Sequence, residues 1–411
     1  MVTVRPFLGC LVLAAALPCA AQEGDFGISV PVTAGASAMY TQRLQLANPS
    51  ASPVTAGFRV VVSPTLRLGK HWFVYAALQE RLWPYFYYDA YNPEHELYAD
   101  VLQAFVGYSV RTANASLVFK AGQLSSAFGS FPLRYDDAQN PLIDQPLSYI
   151  TEIPLRADQL PCGTRDVLRQ YYGYVADSCG GAKGWGSGLT SATMYALPGV
   201  QVEASIGRID LRLQATDGSP ANPQGWTSPR NYVQWAGGGG YTIRQGFRVG
   251  ISGFRGPYLD ESLESLLPAG KGIRSFPASA VGLDAQWARG RFSLNGEWQH
   301  FWFAEPGFME SPTVTSGYGE LKAILTPRLY LAGRAGWLSS GAIVDDQGVS
   351  AAHFAPWVSN VESGIGVWLN RRQLLKASYS WLHNQGQATH RYDVVGLEFV
   401  TTFNALNRAF R

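Results

Sequence analysis

Apolar and polar residues alternate with a period of two along many segments of this chain, for example 58–68, 291–298 and 328–337. In the second of these, Phe292 and Leu294 share one face, whereas Ser293 lies on the other. Because successive side chains of a strand point to opposite faces, the pattern predicts β-strands with one apolar and one polar face. The apolar face would be the core of a soluble sandwich but the lipid-facing surface of a membrane barrel.

The lengths of the connections separate these two cases. Seven short connections with turn residues centre on 69–70, 112–114, 198–199, 244–246, 289–290, 326–327 and 370–372. Eight longer ones lie near 47–55, 88–96, 129–185, 216–229, 259–276, 306–312, 341–355 and 386–390, in strict alternation with the short ones. Short turns at one end and longer loops at the other are typical of outer-membrane barrels. We therefore predict an all-β fold, an antiparallel transmembrane β-barrel of about sixteen strands, with both termini on the short-turn, periplasmic side.

Composition agrees with a barrel and excludes several other classes. Only 15% of the 411 residues are charged, against roughly 25% in soluble domains. Aromatic residues make up 13%, and 46% of residues are hydrophobic, which excludes a disordered chain. A mean hydropathy of −0.05 excludes a bundle of membrane helices. The net charge of +2 gives no reason to expect a nucleic acid partner.

The N-terminus has the pattern of a secretory signal peptide. A basic start at residues 1–5 precedes an apolar core at 6–18, which is shorter than the ~20 residues of a membrane helix. We expect cleavage after Ala21, giving a signal peptide over 1–21 and a single outer-membrane barrel domain over 22–411. The alternative is a buried N-terminal helix. The expected location is the outer membrane of a Gram-negative-type bacterium.

Cysteine and histidine spacings point to no catalytic or metal chemistry. After cleavage only Cys162 and Cys179 remain, and in an oxidising compartment they can form one disulfide or stay as two free thiols. The six histidines have no metal-ligand spacing, and no GxSxG, P-loop or CxxC motif occurs. We expect no cofactor, no metal and no enzymatic activity.

Three segments carry a resemblance to a known family. The connection 129–185 is by far the longest, Phe119-Lys120-Ala121-Gly122-Gln123 is followed by Ala127-Phe128-Gly129, and the final strand 392–403 contains Gly396 and Phe399. In these features the chain resembles the bacterial outer-membrane porins, and its second segment is similar to the phosphate-selective porin-like group. The final strand departs from the family pattern, because Thr401 stands where a second aromatic is expected and Arg411 follows Phe410.

The resemblance implies a channel narrowed by its third external loop. It implies that loop 129–185 folds into the barrel as a constriction loop, that the partners are outer-membrane lipid and small hydrophilic solutes or anions, and that the chain forms a homotrimer. The constriction loop carries the charged residues Arg134, Asp136, Asp137, Asp144, Arg156 and Asp158.

The polar phase of the strands predicts which residues line the pore. They are Arg43, Arg59, Arg67, Arg81, Lys120, Arg248, Arg291, Arg328, Arg334, Lys376, Glu297 and Glu320. Because basic residues outnumber acidic ones on this phase, we expect passive diffusion of small hydrophilic solutes with a modest anion preference. For any single arginine, the alternative is a solvated or ion-paired side chain without a role in selectivity.

Two aromatic clusters, 83–88 and 300–303, lie at predicted strand ends. Such positions suit the two membrane interfaces, and the alternative is a sugar-binding strip inside the pore. For the whole chain, the alternatives are a secreted soluble β-sandwich that binds or acts on carbohydrate, and an outer-membrane barrel that anchors partners without conducting.

Overall fold

The computed structural model describes most of the chain outside its N-terminus. It covers residues 26–42, 45, 49–50, 52–82, 85–86, 97–171, 179–181, 188–219, 221–223, 232–351, 353–355, 357–385 and 391–410. The predicted signal peptide, 1–21, and the predicted pore residue Arg43 lie outside the described residues. Within the described residues, no helix is both long and apolar enough to cross a membrane.

Sixteen antiparallel strands form one closed barrel, as the connection pattern predicts. They are β1 Phe26–Tyr40, β2 Val54–Val62 continued as Thr65–Leu68, β3 Trp72–Leu82, β4 Leu97–Arg111, β5 Ala115–Leu124, β6 Leu197–Ile206, β7 Ile209–Ser219, β8 Val233–Arg244, β9 Phe247–Pro257, β10 Pro277–Arg289, β11 Phe292–Phe303, β12 Thr313–Thr326, β13 Leu329–Ser340, β14 Val358–Trp368, β15 Gln373–Asn384 and β16 Arg391–Phe410. Each strand pairs with its neighbour in the chain, and β1 pairs with β16 to close the sheet. One sheet closed on itself does not fit the β-sandwich alternative.

The two faces of the barrel wall differ in chemistry. Leu213 and Trp235 are 68% and 67% exposed, whereas Glu320 and Arg334 are each 1% exposed. Exposed apolar side chains thus alternate with buried polar ones, which is the reverse of a soluble protein. We call these the apolar face and the polar face. An exposed apolar surface is what a bilayer requires of a barrel that spans it.

One predicted turn is wrong. The sequence places a turn at Pro198-Gly199, but both residues lie in β6, and the chain turns at Gly207-Arg208 instead. Gly207 has a φ of +59°, the left-handed conformation that glycine adopts most readily. In the sequence, apolar and polar residues alternate on both sides of Gly207, and this alternation indicates two strands joined by a turn at that position. As a result the longest connection spans 125–196 and exceeds the predicted 129–185 at both ends.

The final strand is longer than predicted. It extends beyond 392–403 to Phe410, which pairs with Phe26 at the start of β1. The ladder shifts register between Ser29 and Pro31, since proline has no N–H to donate. There the Asn404 side chain accepts a hydrogen bond from the Val30 amide at 3.0 Å.

Candidate functional site: the long loop against the polar face

The connection 125–196, called here the long loop, contains little regular structure. Its described part has two 3-10 turns, Phe131–Arg134 and Leu147–Tyr149, one helix, α1, Thr164–Tyr171, and two short ladders that pair 152–153 with 189–190 and 159–160 with 180–181. Cys162 and Cys179 are joined by a disulfide, with their Cα atoms 4.9 Å apart. Several other loop groups bond to the barrel wall.

A buried charge cluster joins the long loop to β12 and β13. Arg334 Nη2 lies 2.5 Å from Glu320 Oε2, and Arg134 Nη1 of the loop lies 2.9 Å from Glu320 Oε1. Arg334 also donates to the Asp144 carbonyl at 2.7 Å and to Asn140 Oδ1 at 2.8 Å. Two arginines therefore share one carboxylate, and one of them also holds the loop backbone.

A second carboxylate binds the same part of the loop. Glu362 Oε1 on β14 accepts hydrogen bonds from the Ile143 and Asp144 amides at 3.2 and 3.3 Å, and from Ser378 Oγ at 3.1 Å. Glu362 is fully buried, and its Oε2 lies 3.7 Å from Arg334 Nη1. The wall thus supplies acceptors for loop amides that have no ladder partner, which an irregular buried backbone requires.

Asp137 of the long loop binds the wall on both sides of the seam between β1 and β16. Its Oδ1 lies 2.7 Å from Arg59 Nη1 on β2, and its carbonyl accepts from Lys376 Nζ on β15 at 2.7 Å. Lys376 also pairs with Glu398 at 2.6 Å. Tyr85 donates to Glu398 at 2.6 Å and lies 3.2 Å from Asp137 Oδ2. Burial, together with the charges of Asp137 and Glu398, raises the pKa of Tyr85 well above its ordinary value.

Glu297 on β11 holds the first turn of the long loop. Its Oε1 accepts from the Ser130 and Phe131 amides at 3.1 and 2.6 Å, and from Tyr318 Oη at 2.9 Å. Its Oε2 accepts from Tyr149 Oη at 2.6 Å. Burial and the adjacent Glu297 charge raise the pKa of Tyr149 well above its ordinary value. One carboxylate therefore fixes both 3-10 turns of the loop.

Glycines on the polar face leave room for the loop. A Cβ at Gly238 would lie 3.1 Å from the Ala127 carbonyl, and one at Gly364 would lie 2.8 Å from the Leu142 side chain. Gly238 belongs to a run of four glycines, 237–240, that lies inside β8. At Gly240, a Cβ would overlap the Arg248 guanidinium. The missing side chains let loop and arginine lie directly on the wall.

The predicted pore residues fall into two groups. Buried or half-buried side chains with a carboxylate or aromatic contact are Arg59, Arg81, Lys120, Arg248, Arg334, Lys376, Glu297 and Glu320. Lys120 pairs with Glu203 at 2.7 Å. Arg248 bridges Asp210 and Asp284, each at 2.6 Å. The exposed residues at the short-turn end are Arg67, Arg291 and Arg328.

The predicted loop residues divide in the same way. Arg134, Asp137 and Asp144 contact the wall, as described above. Asp136 Oδ2 accepts from Thr33 Oγ1 on β1 at 3.0 Å. Arg156 pairs with Asp158 at 2.8 Å within the loop, and the hydrogen bond from Arg156 holds the pKa of Asp158 below its ordinary value.

Sequence reasoning missed Glu362, Asn140 and Tyr85 as part of this site. Glu362 lies on the polar phase of β14, a signal that could have found it. Tyr85 and Phe86 belong to an aromatic cluster predicted for the membrane interface, but both are buried. Phe86 lies between the guanidinium groups of Arg59 and Arg81, which are 5.5 and 5.4 Å from its ring centre. In the other cluster, 300–303, Trp302 is 38% exposed on the apolar face.

Among the described residues, no group of three or more His, Cys, Asp or Glu side chains is arranged to hold a metal ion. No protein-family model matches the chain, and no curated protein matches it in sequence.

The fold is a closed sixteen-stranded antiparallel barrel, and solved structures of outer-membrane porins share it. The outer membrane channel DcaP of Acinetobacter baumannii aligns with a TM-score of 0.54 at 8% identity, covering 94% of this chain and 100% of that one. OmpT, an outer membrane protein of Vibrio cholerae, aligns with a TM-score of 0.53 at 8% identity, over 94% and 100% of the two chains. An anion-selective porin from Comamonas acidovorans aligns with a TM-score of 0.51 at 12% identity, over 92% and 99%. At such identities the likeness establishes the shared fold.

Proposed function

We propose that this chain is a porin-like channel of the outer membrane, through which small hydrophilic solutes diffuse passively. The observation that carries the proposal is a closed sixteen-stranded barrel whose apolar face is exposed and whose polar face bears a long, tightly bound loop. An apolar exterior suits lipid, and a polar interior suits water and solutes. The fold shared with known outer-membrane channels supports the same conclusion.

The long loop crosses the lumen and narrows it. Successive loop residues reach distant parts of the wall: Arg134 binds Glu320 on β12, whereas Tyr135 Oη accepts from Gln103 on β4 at 3.4 Å. Because two consecutive loop residues contact strands on separated parts of the wall, this segment of the loop crosses the interior. Leu133, in the same segment, is 54% exposed, so open space lies beside it. Solutes pass through that space, and their size is limited by it.

We propose that an anion preference arises at the periplasmic mouth, and the pairing of charges on the wall supports this. Arg59, Arg248, Arg334 and Lys376 each lie within 2.7 Å of a carboxylate oxygen, so their charge is largely balanced. The exposed set Arg67, Arg291 and Arg328 at the short-turn end is left to attract anions. We therefore propose a weak, salt-dependent anion preference. The similarity to phosphate-selective porins remains a prediction.

The remaining parts of the proposal concern location and assembly. We infer export by the 1–21 signal peptide, residence in the outer membrane with lipid around the apolar face, and assembly as a homotrimer. One aligned structure is described as the trimer form of Vibrio cholerae OmpT. The proposed channel needs neither a cofactor nor a catalytic residue.

Planar-bilayer recording of the purified protein tests the proposed function. A channel predicts discrete conductance steps, occurring in threes for a trimer. A KCl gradient should give a small anion-directed reversal potential that falls when Arg67, Arg291 and Arg328 are replaced by Gln. Protein that inserts, as shown by heat-modifiable migration in gels, but gives no steps would favour the non-conducting anchor barrel. A clear cation preference would overturn the selectivity proposal.

A further inference from the structure

Five aromatic rings form a continuous strip on the polar face. They are Phe73 and Tyr75 of β3, Phe105 of β4, Tyr135 of the long loop and Tyr195 just before β6. Phe105 lies 6.0 Å from Phe73 and 5.3 Å from Tyr75, between ring centres. Tyr135 lies 5.9 Å from Tyr195, and Tyr75, Tyr135 and Tyr195 pack against the same buried cluster of Val61, Ala77 and Leu102. We call this set the aromatic strip.

The aromatic strip runs from the short-turn end towards the loop. Phe73 is the second residue of β3, and Tyr75 lies two residues further along the same face. That spacing corresponds to about 7 Å of strand. Tyr135 continues the strip at the loop, where Tyr135 contacts Gln103. The strip thus follows the direction in which a solute would travel.

The rings are accessible, unlike most side chains on the polar face. Phe73, Tyr75, Tyr135 and Tyr195 are half-buried, and only Phe105 is fully buried. At Gly107 a Cβ would overlap the far edge of the Phe73 ring, so the missing side chain of this glycine gives the ring its place over β4.

Hydrogen-bonding groups flank the aromatic strip along one side. Lys120 Nζ lies 5.3 Å from the centre of the Phe105 ring and 2.7 Å from Glu203 Oε1. Gln201 donates to Glu203 at 2.6 Å, and Gln214 donates to Gln201 at 3.1 Å. The Glu203 side chain is 28% exposed and the Lys120 side chain 18%. The partly exposed carboxylate and ammonium groups therefore lie beside the rings, whereas Gln201 and Gln214 are buried and hold Glu203 in place.

The aromatic rings and the polar groups beside them together favour one class of ligand. An anion would need positive charge that is not already paired. Arg67, opposite Phe73, offers such a charge at the short-turn end, whereas further along the strip Lys120 is paired with Glu203 and Arg59 with Asp137. A purely apolar solute would leave these polar groups without partners, which is costly. A neutral sugar ring satisfies both sides, because its C–H face packs on an aromatic ring and its hydroxyls bond to the carboxylate and ammonium groups.

We propose that the aromatic strip binds neutral oligosaccharides along the lumen wall, with Phe73, Tyr75 and Tyr135 as stacking platforms and Glu203 as the hydroxyl partner. The proposal rests on the proposed channel function for its transport meaning, but the binding itself does not require conduction. Half-buried rings in a row supply several equivalent positions, so a linear chain of sugar units binds more tightly than a single unit.

The test uses maltohexaose as the probe, with glucose, inorganic phosphate and benzoate for comparison. In bilayers, maltohexaose should interrupt the ion current in a concentration-dependent way, and more strongly than glucose. Isothermal titration of the detergent-solubilised protein measures binding independently of conduction. An absence of conductance accompanied by sugar binding would overturn the channel proposal and leave this inference standing.

Single substitutions test whether the aromatic strip forms the maltohexaose-binding site. Tyr75→Leu and Phe73→Leu keep apolar volume but remove the ring, so each should weaken maltohexaose binding about threefold to tenfold. Glu203→Gln should weaken binding through loss of a charge-assisted hydrogen bond. Tyr379→Leu, on the apolar face, is the matched control and should change nothing. Absence of maltohexaose binding in both assays, binding that is unchanged in the ring variants, or stronger block by phosphate or benzoate would each overturn the inference.

Discussion

Arg334 and Glu320 face each other directly across β13 and β12, and their side chains form a 2.5 Å ion pair that is at most 1% exposed. A buried pair of this kind is stable only when its remaining donors and acceptors are also satisfied. Here Arg134, Asn140 and the Asp144 carbonyl of the long loop complete the set. The pair therefore binds the loop as well as the two strands.

Replacing one partner of this pair should destabilise the folded protein strongly. Arg334→Met leaves the Glu320 charge buried with Arg134 as its remaining cationic partner, and breaking a buried pair costs about 3–5 kcal/mol. The double variant Arg334→Met/Glu320→Gln should lose less than the sum of the single losses. Urea unfolding of the protein in detergent micelles measures the loss in the free energy of unfolding for the single and the double variants. Arg328→Met, at an exposed turn, is the control, and an equal loss there would contradict the account.

Glu297 should control the order of the first loop turn. In Glu297→Gln, an amide group replaces one of two acceptor oxygens, although the Ser130, Phe131 and Tyr149 groups around it all donate. The new amide N–H group cannot accept hydrogen bonds from these donors, so some of the bonds are lost. We expect more open-channel current noise, with a stability loss of about 1–3 kcal/mol. Glu310→Gln, in an exposed loop, is the matched control. Identical open-channel current noise in both variants would contradict the claim that Glu297 holds the loop.

The disulfide should affect loop motion more than barrel stability. Cys162–Cys179 joins the two ends of a loop segment that contains α1, and Asp345 of the loop between β13 and β14 accepts from the Thr164 amide at 3.3 Å at the start of that helix. The bridge thus lies outside the sixteen-stranded sheet. Reduction should alter gating or noise in single-channel traces while leaving the urea midpoint nearly unchanged. The variant Cys162→Ser/Cys179→Ser should not respond to reductant. A reduced protein with an unchanged trace would argue against this role.

Glu305 should make the outer loops less stable as pH rises. Burial raises the pKa of Glu305 to about 8, from 4.5 in the unfolded chain, with Tyr258 donating a hydrogen bond to it. The carboxyl is protonated in both states below pH 4.5, so its stability contribution is complete there. Between pH 4.5 and 8 the carboxyl ionises in the unfolded chain but stays protonated in the folded one, so stability falls as pH rises, by up to about 5 kcal/mol once the pH exceeds 8.

Hydrogen exchange of the loops 258–276 and 304–312 at pH 5, 7 and 9 measures this loss. We expect protection to fall with rising pH in the native chain and to stay level in Glu305→Gln, whose side chain does not titrate. Protection that rises with pH, or the same pH profile in both proteins, would show that Glu305 is not the responsible group.

The barrel could be predicted from the sequence because strand alternation and connection length are local signals. The same alternation placed Arg334, Glu320 and Glu297 on the polar face. It could not supply their partners. Contacts such as Lys376 to the Asp137 carbonyl join residues far apart in the chain, and irregular loop backbone has no period from which such contacts can be derived.

The misplaced turn at Pro198-Gly199 has a related cause. Proline and glycine are typical of turns, but at this place the pair begins β6 next to β7. A Cβ on Gly199 would overlap the Ala215 carbonyl of the neighbouring strand. Glycine is needed there for close backbone approach. The turn itself uses Gly207, whose positive φ cannot be read from residue type alone.

The central claim is that the long loop, held by buried charges, constricts an otherwise open barrel. It is tested most directly by the single-channel conductance of a variant in which residues 131–145 are replaced by a short Gly-Ser linker. Heat-modifiable migration in gels confirms that the variant barrel is folded. The account predicts a severalfold rise in conductance and passage of larger neutral solutes. A folded variant with the conductance and size limit of the native protein would contradict it.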